Sequence, residues 1–466
     1  MFMTDDFLLN SRWSRALYHE VAKDLPIIDY HAHLPPADIA GRHKFANLAE
    51  LWLGTGTYGD HYKWRLMRAN GVPERLITGD ASARDKCMAF CSILPKCAGS
   101  PVLQWSHLEL KRLFGLNDVI NAENGPRIWD AVNEQLAGMD TWSFLRQANV
   151  EIASTTDDPA DDLAAHEVLA KSELKTRVLP AYRPDKAMHI EAAGFPAYLE
   201  KLGKVAGVSI DSFASLVKAL AARVDYFHAH GARVSDHAWD LSLPTELPDD
   251  AALEKLFARR MAGAELTTAE CAAYVAGLLL HLGRVYARKE WTMCFHIGAL
   301  RSVSTRGLKT VGPDAGFDAL SEIPVGESLC KLLDGLDRDD LLPRTMLFCL
   351  NPGMNEVLAA VMGCFQDGKI AGKLQFGPAW WFCDHKDGNL EQLRTLGNYG
   401  VLGTFVGMVT DSRSFASFPR HDYFRRLVCR LLGEWVEAGE YPADFDALAS
   451  LVRGISYENA KKYFRF

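Results

Sequence analysis

The sequence has little cysteine, and none of it forms a metal-binding or redox motif. There are 10 cysteines in 466 residues, far below the density of disulfide-stapled secreted domains. No Cys-x-x-Cys pair occurs, and Cys87, Cys91 and Cys97 stand at the spacing i, i+4, i+10. We therefore expect reduced thiols, most of them buried, and a cytoplasmic protein.

Long apolar runs and an excess of positive charge are also absent. No stretch approaches the roughly 18 apolar residues that a membrane helix needs. Acidic residues precede the short apolar run at the start of the chain, which is the reverse of a secretory signal. Lys and Arg total 51 against 59 Asp and Glu, a net charge of −8. We therefore expect neither nucleic acid nor a membrane as a partner.

Linkers, low-complexity segments and clear internal repeats are missing too. The composition, 48% apolar and 24% charged, is that of an ordinary globular protein. A chain of this length fits about three average domains, but it also fits one α/β barrel with insertions.

What does recur is a short apolar run that ends in polar residues and is followed by a helical pattern. Such runs are typical of parallel strands covered on both faces. Eight of them, separated by helical segments, predict an α/β fold, a (β/α)₈ barrel formed as one domain by residues 1–466. The runs are PIIDYHAH, VEIASTTDDP, KTRVLPAYRPDK, ARVSDHA, WTMCFHIGALR, TMLFCLNP, KLQFGPAWWFCD and VLGTFVGMVTDSRS.

Two long gaps between the runs contain helical patterns of their own. In the first gap, RDKCMAFCSIL and PRIWDAVNEQLA predict a helical insertion over residues 35–148, lying above the mouth of the barrel. In the second, DAALEKLFARRMAG and TTAECAAYVAGLLLHLGRVYARK predict extra outer helices between the fourth and fifth strands.

Every run closes on residues that are chemically useful. The carboxyl ends of barrel strands are where catalytic groups of this fold lie, so these endings are candidates for one common site. They are His31 and His33, Asp157 and Asp158, Arg183 and Asp185, Asp236 and His237, His296 and Arg301, Asn351, Asp384, and Asp411 and Arg413.

The first run ends in His31-Ala32-His33, a candidate metal motif. Strand side chains alternate, so both imidazoles point to the same face, and two neutral imidazoles form half of a divalent-ion site. His228-Ala229-His230 has the same spacing but follows a helical run and precedes Gly231, so it is predicted to be a helix end.

Asp411 ends the eighth run, which neighbours the first when a barrel closes. It can complete a His-His-Asp metal site or act as a base, although an Asp here could also simply cap a turn. The fourth run contains no lysine to bridge two ions, so a single metal ion is the better hypothesis. Arg413 offers a fixed cation for an oxyanion. His296 could be a fourth ligand, a substrate contact or a structural histidine.

Ten ordered motifs resemble those of the uronate isomerase (glucuronate isomerase) family, in the amidohydrolase superfamily, over about Asp6 to Phe464. The motifs are DYHAHLPP, DHYKWRLMR, NGVPERLITGDAS, TTDDP, RPDKA, VSDHA, FHIGALR, CLNP, WWF and TDSRSF. The resemblance implies aldose–ketose isomerisation, D-glucuronate to D-fructuronate and D-galacturonate to D-tagaturonate, in sugar-acid catabolism. One departure is visible, because LWLGTGTYGDHYKWR has extra Gly-rich residues before His61.

The resemblance also implies roles for individual residues. His31, His33 and Asp411 would hold one divalent ion, usually Zn²⁺, and Arg413, His61 and Tyr62 would belong to the catalytic machinery. Moving a proton between C2 and C1 through a cis-enediolate needs a base, an acid and a cation, and these residue types supply all three.

An anionic sugar acid also needs anchors. Arg183 and Arg301 are candidates, although either could be an ordinary salt-bridged arginine. Trp381 could stack on the sugar, although it, Trp380 and His107 could instead be core or pocket wall. The expected partner is thus a small hexuronate, bound by a homo-oligomer.

Two other functions fit part of the same pattern. A metal-dependent hydrolase or deaminase on the same barrel would use the ion to ionise a water molecule. A sugar-acid binder would bind the same ligands without turnover.

Overall fold

The computed structural model describes residues 2–54 and 59–466. Residues 55–58, in the Gly-rich segment before His61, lie outside the described residues. Within the described ranges, no helix has both the length and the apolar character that crossing a bilayer requires.

Parallel strands form the centre of the molecule, as the apolar runs predict. One sheet contains β1 (Ile27–Asp29), β2 (Val150–Ser154) and β3 (Arg177–Leu179), in that order. A second contains β4 (Val234–Trp239), β5 (Thr292–Ile297), β8 (Arg344–Cys349) and β9 (Leu374–Phe376), in that order, and β6 (Ala299–Leu300) pairs antiparallel with β7 (Ala319–Leu320). Tyr182 links the two parallel sheets through bridges to Asp157 and Ser235. The predicted α/β fold with consecutive parallel strands is confirmed.

The eighth run lies beside β1, but it is not the strand that its apolar content predicts. The Asp411 backbone N–H donates to the His31 carbonyl (3.2 Å), and the His33 N–H donates to the Ser412 carbonyl (3.0 Å). Gly407 and Asp411 have left-handed backbones, with φ of 79° and 46°. Residues with positive φ interrupt the pleat of a strand, so only isolated hydrogen bonds form here.

Helices precede the first strand, occupy the connections between the strands and follow the last one. Before β2 they are α1 (Arg12–Ala16), α2 (Pro36–Ala40), α3 (Leu48–Leu53), α4 (His61–Ala69), α5 (Ala83–Ile93), α6 (Pro101–Phe114), α7 (Gly125–Leu136) and α8 (Thr141–Gln147). Between β2 and β5 they are α9 (Ala164–Ala170), α10 (Asp185–Met188), α11 (Phe195–Ala206), α12 (Phe213–Ala229), α13 (Asp250–Met261) and α14 (Thr268–Arg288). After β5 they are α15 (Thr305–Thr310), α16 (Gly326–Asp337), α17 (Asn355–Cys364), α18 (Lys386–Tyr399), α19 (Pro419–Glu437), α20 (Phe445–Arg453) and α21 (Asn459–Phe464).

Several local predictions agree with these helices. The segment predicted as a helical insertion, residues 35–148, contains α2 to α8, and α13 and α14 are the predicted helices between the fourth and fifth strands. His228 lies in the last turn of α12, His230 is its C-cap, and Gly231 follows with a φ of 93°. That all 466 residues form a single domain, with residues 35–148 as an insertion above the mouth of the barrel, stays a prediction.

The last helix closes the end of the strands opposite to their polar endings. Tyr463 and Phe464 of α21 are buried with Ile28, Tyr30 and other residues of the strand interior. The rings of Tyr30 and Phe464 stack with centroids 4.5 Å apart, and the Tyr463 hydroxyl donates to the Lys373 carbonyl at the start of β9 (2.8 Å). The polar endings of the strands therefore lie at the end that these residues leave free.

This packing makes a stability prediction. Phe464 is 1% exposed, so Phe464→Ala should lower the free energy of unfolding by about 3–5 kcal/mol, because a large buried ring is removed and a cavity is left. Urea denaturation measures the loss. Phe466→Ala is the control: Phe466 stacks on Phe464 but is only partly buried, and its loss should be much smaller. Equal stabilities for wild type and Phe464→Ala would contradict the packing role.

Candidate active site

A cavity of about 550 Å³ opens at the carboxyl ends of the strands. All ten residues that the sequence nominates for metal binding, catalysis or substrate binding line it, although they are spread over nearly 400 positions of the chain. They are His31, His33, His61, Tyr62, Arg183, His296, Arg301, Trp381, Asp411 and Arg413. Their roles stay predictions, but their proximity is a property of the fold.

The residues after β1 and the eighth run bring two imidazoles to one carboxylate. His31 Nε2 and His33 Nε2 each lie 3.1 Å from Asp411 Oδ1. The two rings are nearly perpendicular, with centroids 5.1 Å apart. The two histidines follow β1, which ends at Asp29, and stand two residues apart, with both Nε2 atoms facing the same carboxylate oxygen.

Charge and burial act against each other in this cluster. Burial opposes ionisation of Asp411, yet the hydrogen bonds from His31 and His33 hold its pKa well below the usual range. Burial also opposes protonation of His31, but Asp236 and Asp411 raise its pKa. In His33, burial prevails over the hydrogen bond to Asp411 and lowers the pKa.

A second cluster shares His31. Asp236 follows Ser235 in β4, and its carboxylate lies 2.5 Å from His296 Nδ1, 2.9 Å from Arg183 Nη1 and 3.9 Å from His31 Nδ1. Burial opposes ionisation of Asp236, but Arg183 and the two histidines hold its pKa well below the usual range. Asp236 was predicted as one of the polar endings of the strands, but with no role in metal, substrate or proton binding. In the sequence, only its position at the end of the fourth run marks Asp236 as a candidate, and the residues that end the other runs are marked in the same way.

Both clusters have donor sets suited to a divalent ion. The candidate ligand atoms of His31, His33 and Asp411 all lie within 4.8 Å of one another, and so do those of His31, Asp236 and His296. Two imidazoles and one carboxylate are a set that Zn²⁺ takes in catalytic sites, with a fourth position left open. The fit supports a metal centre; the kind of ion and its number stay predictions.

His61 and Tyr62 enter the cavity at the beginning of α4. Asp60 is the N-cap of this helix, and its Oδ1 accepts hydrogen bonds from the backbone N–H groups of Tyr62 (3.0 Å) and Lys63 (3.1 Å). The His61 and Tyr62 rings stack with centroids 4.5 Å apart, and the Trp381 ring lies 5.5 Å from His61 at a steep angle. The helix start therefore presents both rings together.

These two rings are neutral at neutral pH. Burial lowers the pKa of His61 to about 4, and it raises the pKa of Tyr62 well above the usual value. Tyr62 Oη is buried and has no hydrogen-bond partner among residues 2–54 and 59–466. The pair thus offers an unprotonated imidazole and a phenol that can still donate.

Three arginines reach the cavity, each beside acidic partners. Arg183 pairs with Asp185 (2.7 Å) and Asp236, while Arg413 Nη2 lies 3.1 Å from Asp314 Oδ2. Arg301 Nη1 lies 3.6 Å from the other oxygen of Asp314, and the Arg301 guanidinium lies over the Trp381 ring at 4.7 Å. Sequence reasoning missed Asp314 because it lies between β6 and β7, in a segment without periodicity.

Other polar strand endings do not line the cavity. Asp157 accepts from Thr155, Asp384 pairs with Arg420, and His237 lies against Tyr286 and Phe295. His107 is structural: Nδ1 contacts the Leu103 carbonyl (2.6 Å), and Nε2 accepts from the Ile120 N–H (2.9 Å). Trp380 lines the cavity, and its ring lies 4.6 Å from that of His296.

A buried ionic network supports α4 from behind. Lys63 Nζ lies 2.7 Å from Asp60 Oδ2 and 3.7 Å from Glu109 Oε2, and all three side chains are shielded from solvent. Burial raises the pKa of Glu109 to about 7, although Lys63 works in the opposite direction. The network therefore contains one carboxyl group that titrates near neutral pH.

Glu109 makes a prediction for stability against pH. Its folded pKa of about 7 is above the ordinary value of 4.5, so the folded state holds the proton more tightly than the unfolded state. The stability from that proton is complete below about 4.5 and is lost as the pH rises through about 7. Glu109→Gln cannot ionise, so its free energy of unfolding should rise relative to wild type between pH 5 and pH 8.

Urea denaturation at pH 5, 6, 7 and 8 measures this difference. Glu134→Gln, at an exposed position of α7, is the control and should keep the wild-type pH dependence. A constant difference between Glu109→Gln and wild type over this range would contradict the titration.

The comparisons with known proteins agree with each other. A family model described as glucuronate isomerase matches residues 1–464. The uronate isomerase of Bacillus licheniformis is 48% identical over 467 residues, covering 100% of this chain and 98% of that protein. The uronate isomerase of Caldicellulosiruptor saccharolyticus is 47% identical over 466 residues, covering 100% and 99%.

Solved structures give the same result. The crystal structure of uronate isomerase from Thermotoga maritima superposes with a TM-score of 0.92 at 33% identity and covers 100% of both chains. The crystal structure of glucuronate isomerase from Caulobacter crescentus superposes with a TM-score of 0.91 at 26% identity, covering 99% of this chain and 96% of the other.

Proposed function

The chain belongs to the glucuronate isomerase family, and from that premise we propose that the cavity lined by His31, His33 and Asp411 is its active site. The enzyme is an aldose–ketose isomerase that interconverts hexuronates. One observation supports the proposal above others: the His-His-Asp cluster, the His61–Tyr62 pair and three arginines line the same cavity. We propose D-glucuronate/D-fructuronate and D-galacturonate/D-tagaturonate as its substrate pairs.

The reaction moves one proton between neighbouring carbons. In the open-chain aldose, a base removes the proton from C2 while the C1 oxygen takes a proton, and the product of this step is a cis-enediol or enediolate. Return of a proton to C1, with loss of the proton on the C2 oxygen, gives the ketose. Such a path needs a proton acceptor, a proton donor and a positive charge close to the developing oxyanion.

The chain provides the acceptor and the donor at the start of α4. His61, unprotonated because its pKa is about 4, can accept a proton, and Tyr62, whose pKa is raised, keeps one to donate. Asp411 is a second candidate acceptor, placed between the two histidines. Because His61 and Tyr62 are stacked and both line the cavity, we propose that they act on the same side of the substrate.

The positive charges divide into two groups. Arg413 is closest to Asp411 in sequence and stabilises the oxyanion. Arg183 and Arg301 bind the anionic and hydroxyl groups of the sugar acid, Trp381 stacks on its carbon chain, and His296 Nε2, which has no hydrogen-bond partner in the described ranges, contacts a substrate oxygen. All five side chains line the cavity.

The metal centre is the second part of the proposal. A divalent ion, Zn²⁺ in our proposal, held by His31, His33 and Asp411 would supply a Lewis acid that binds and orients the oxygens at the carboxylate end of the substrate. The two histidine Nε2 atoms already face one oxygen of Asp411, so these residues need little rearrangement to bind an ion.

The ligand assignment predicts metal contents. Purified wild type should contain about one ion per chain, and His31→Ala and His33→Ala should each lose most of it, because each removes one of three protein ligands. Elemental analysis measures the content after dialysis against Zn²⁺. His230→Ala is the matched control, since His230 has the same two-residue spacing to a neighbouring histidine but caps α12. Unchanged metal content in both variants would remove these histidines as ligands.

Arg413 provides a test of the reaction itself. Arg413→Met keeps much of the side-chain bulk and removes the charge, so kcat for D-glucuronate should fall about 10²–10³-fold while KM changes much less. Arg338→Met, which removes an exposed arginine of a surface pair with Asp334, should leave both constants unchanged. A kcat within twofold of wild type in Arg413→Met would reject the oxyanion role.

The same assay distinguishes isomerisation from hydrolysis. In D₂O, NMR should show the ketose forming without any other product and deuterium entering C1 of the ketose or C2 of the aldose. A hydride shift would give no incorporation, and a hydrolase would release a second product after consuming water.

We also propose that the enzyme works in the cytoplasm as a homo-oligomer. Most of its ten cysteines are buried free thiols, which supports a reducing compartment. Size-exclusion chromatography with light scattering measures the subunit number.

A further inference from the structure

The backbone of Asp411 has a positive φ. Its φ of 46° lies in the left-handed region, which few residues other than glycine adopt, aspartate more readily than most. The carboxylate of the same residue is the one shared by His31 and His33. Whatever holds this backbone therefore also orients the carboxylate.

Three successive contacts hold the Asp411 backbone against the end of β1 and the residues that follow it. The Asp411 N–H donates to the His31 carbonyl, and the His33 N–H donates to the Ser412 carbonyl. Before them, the Thr410 N–H donates to Asp29 Oδ1 (2.9 Å) and the Thr410 hydroxyl donates to Asp29 Oδ2 (2.5 Å). The partners are thus alternate residues: Asp29, the last residue of β1, and His31 and His33, which follow it.

The contact between Thr410 and Asp29 differs in kind from the other two. At Asp29 a side-chain carboxylate accepts the backbone N–H that a main-chain carbonyl would accept in a regular parallel ladder. Asp29 is fully buried, and a buried carboxylate is retained only where hydrogen bonds compensate for its lost hydration. Both of its oxygens are used on Thr410, and His421 Nε2 lies 3.9 Å from Oδ1.

We propose that Asp29 is a positioning residue for the isomerase reaction: it clamps Thr410 and so fixes the orientation of the Asp411 carboxylate between His31 and His33. The proposal rests on the proposed function, in which these three residues bind the ion. Asp29 touches neither substrate nor ion, and its effect reaches the site through one peptide unit. Residues that orient metal ligands in this way typically change metal affinity or activity by about 10–100-fold when they are substituted.

The test compares Asp29→Asn with wild type as full-length enzyme. The amide has an NH₂ group in place of one carboxylate oxygen, and this group cannot accept from Thr410; the contact that remains loses the negative charge that strengthens it. We expect the affinity for Zn²⁺, measured by competition with a chelator, to fall about 10–100-fold. We expect kcat for D-glucuronate at saturating Zn²⁺ to fall at least tenfold, with KM changed less than threefold.

Tyr30→Phe is the matched structural control. The Tyr30 hydroxyl donates to the Gly407 carbonyl (2.8 Å), so this variant also removes one buried hydrogen bond between the same two segments, but four residues before Asp411. We expect it to lower the melting temperature and to leave Zn²⁺ affinity and kcat unchanged. If Asp29→Asn behaves like Tyr30→Phe in all three measurements, Asp29 is only a structural contact and the proposal is wrong.

Two further variants make every outcome decisive. Thr410→Val removes the hydroxyl but keeps the N–H contact, and it should weaken Zn²⁺ binding at least threefold. If Asp29→Asn does not fold, Thr410→Val takes its place as the test. Unchanged Zn²⁺ affinity and kcat in Thr410→Val would then overturn the proposal.

Asp411→Asn tests the ligand assignment separately. If Asp411→Asn keeps wild-type Zn²⁺ affinity, or wild type binds no Zn²⁺, the ligand assignment fails, and Asp29 is judged by kcat alone with the same tenfold criterion.

Discussion

The contact between the first strand and residues 410–412 is the constraint on which the site depends. It joins the two ends of the predicted strand order and, in the same few residues, brings His31 and His33 to the Asp411 carboxylate. Because the catalytic candidates come from different segments, the distances between their side chains depend on this contact. The left-handed backbone of Asp411 indicates that the contact is specific and not a continuation of the sheet.

Much of this arrangement could be predicted from the sequence, and the reasons are local. The period of two made His31 and His33 neighbours on one face, and their position at the end of an apolar strand distinguished them from His228 and His230 in α12. What could not be predicted depends on tertiary contacts. The eighth run has the apolar content of a strand, but its irregular path follows from the positive φ values of Gly407 and Asp411.

The acidic partners of the cavity's arginines could not be identified from the sequence either. Asp236 and Asp314 are ordinary aspartates in the sequence, and only the fold shows that they face Arg183, His296, Arg301 and Arg413. Sequence patterns identify cations suited to an anionic substrate, but they do not reveal which of them are already neutralised. In the folded enzyme, each arginine of the cavity has a carboxylate neighbour, so a hexuronate must compete with internal ion pairs for these charges.

The position of α21 has a consequence for how the protein is made. The interior that β1 begins is completed by Tyr463 and Phe464, at the other end of the chain, and its lateral neighbour, the eighth run, is also translated late. A nascent chain on the ribosome therefore leaves this part of the interior uncovered until residues up to Phe464 have been added, and a chain grows at only roughly 5–20 residues per second. Chaperone capture during translation is the expected cellular sign of this topology.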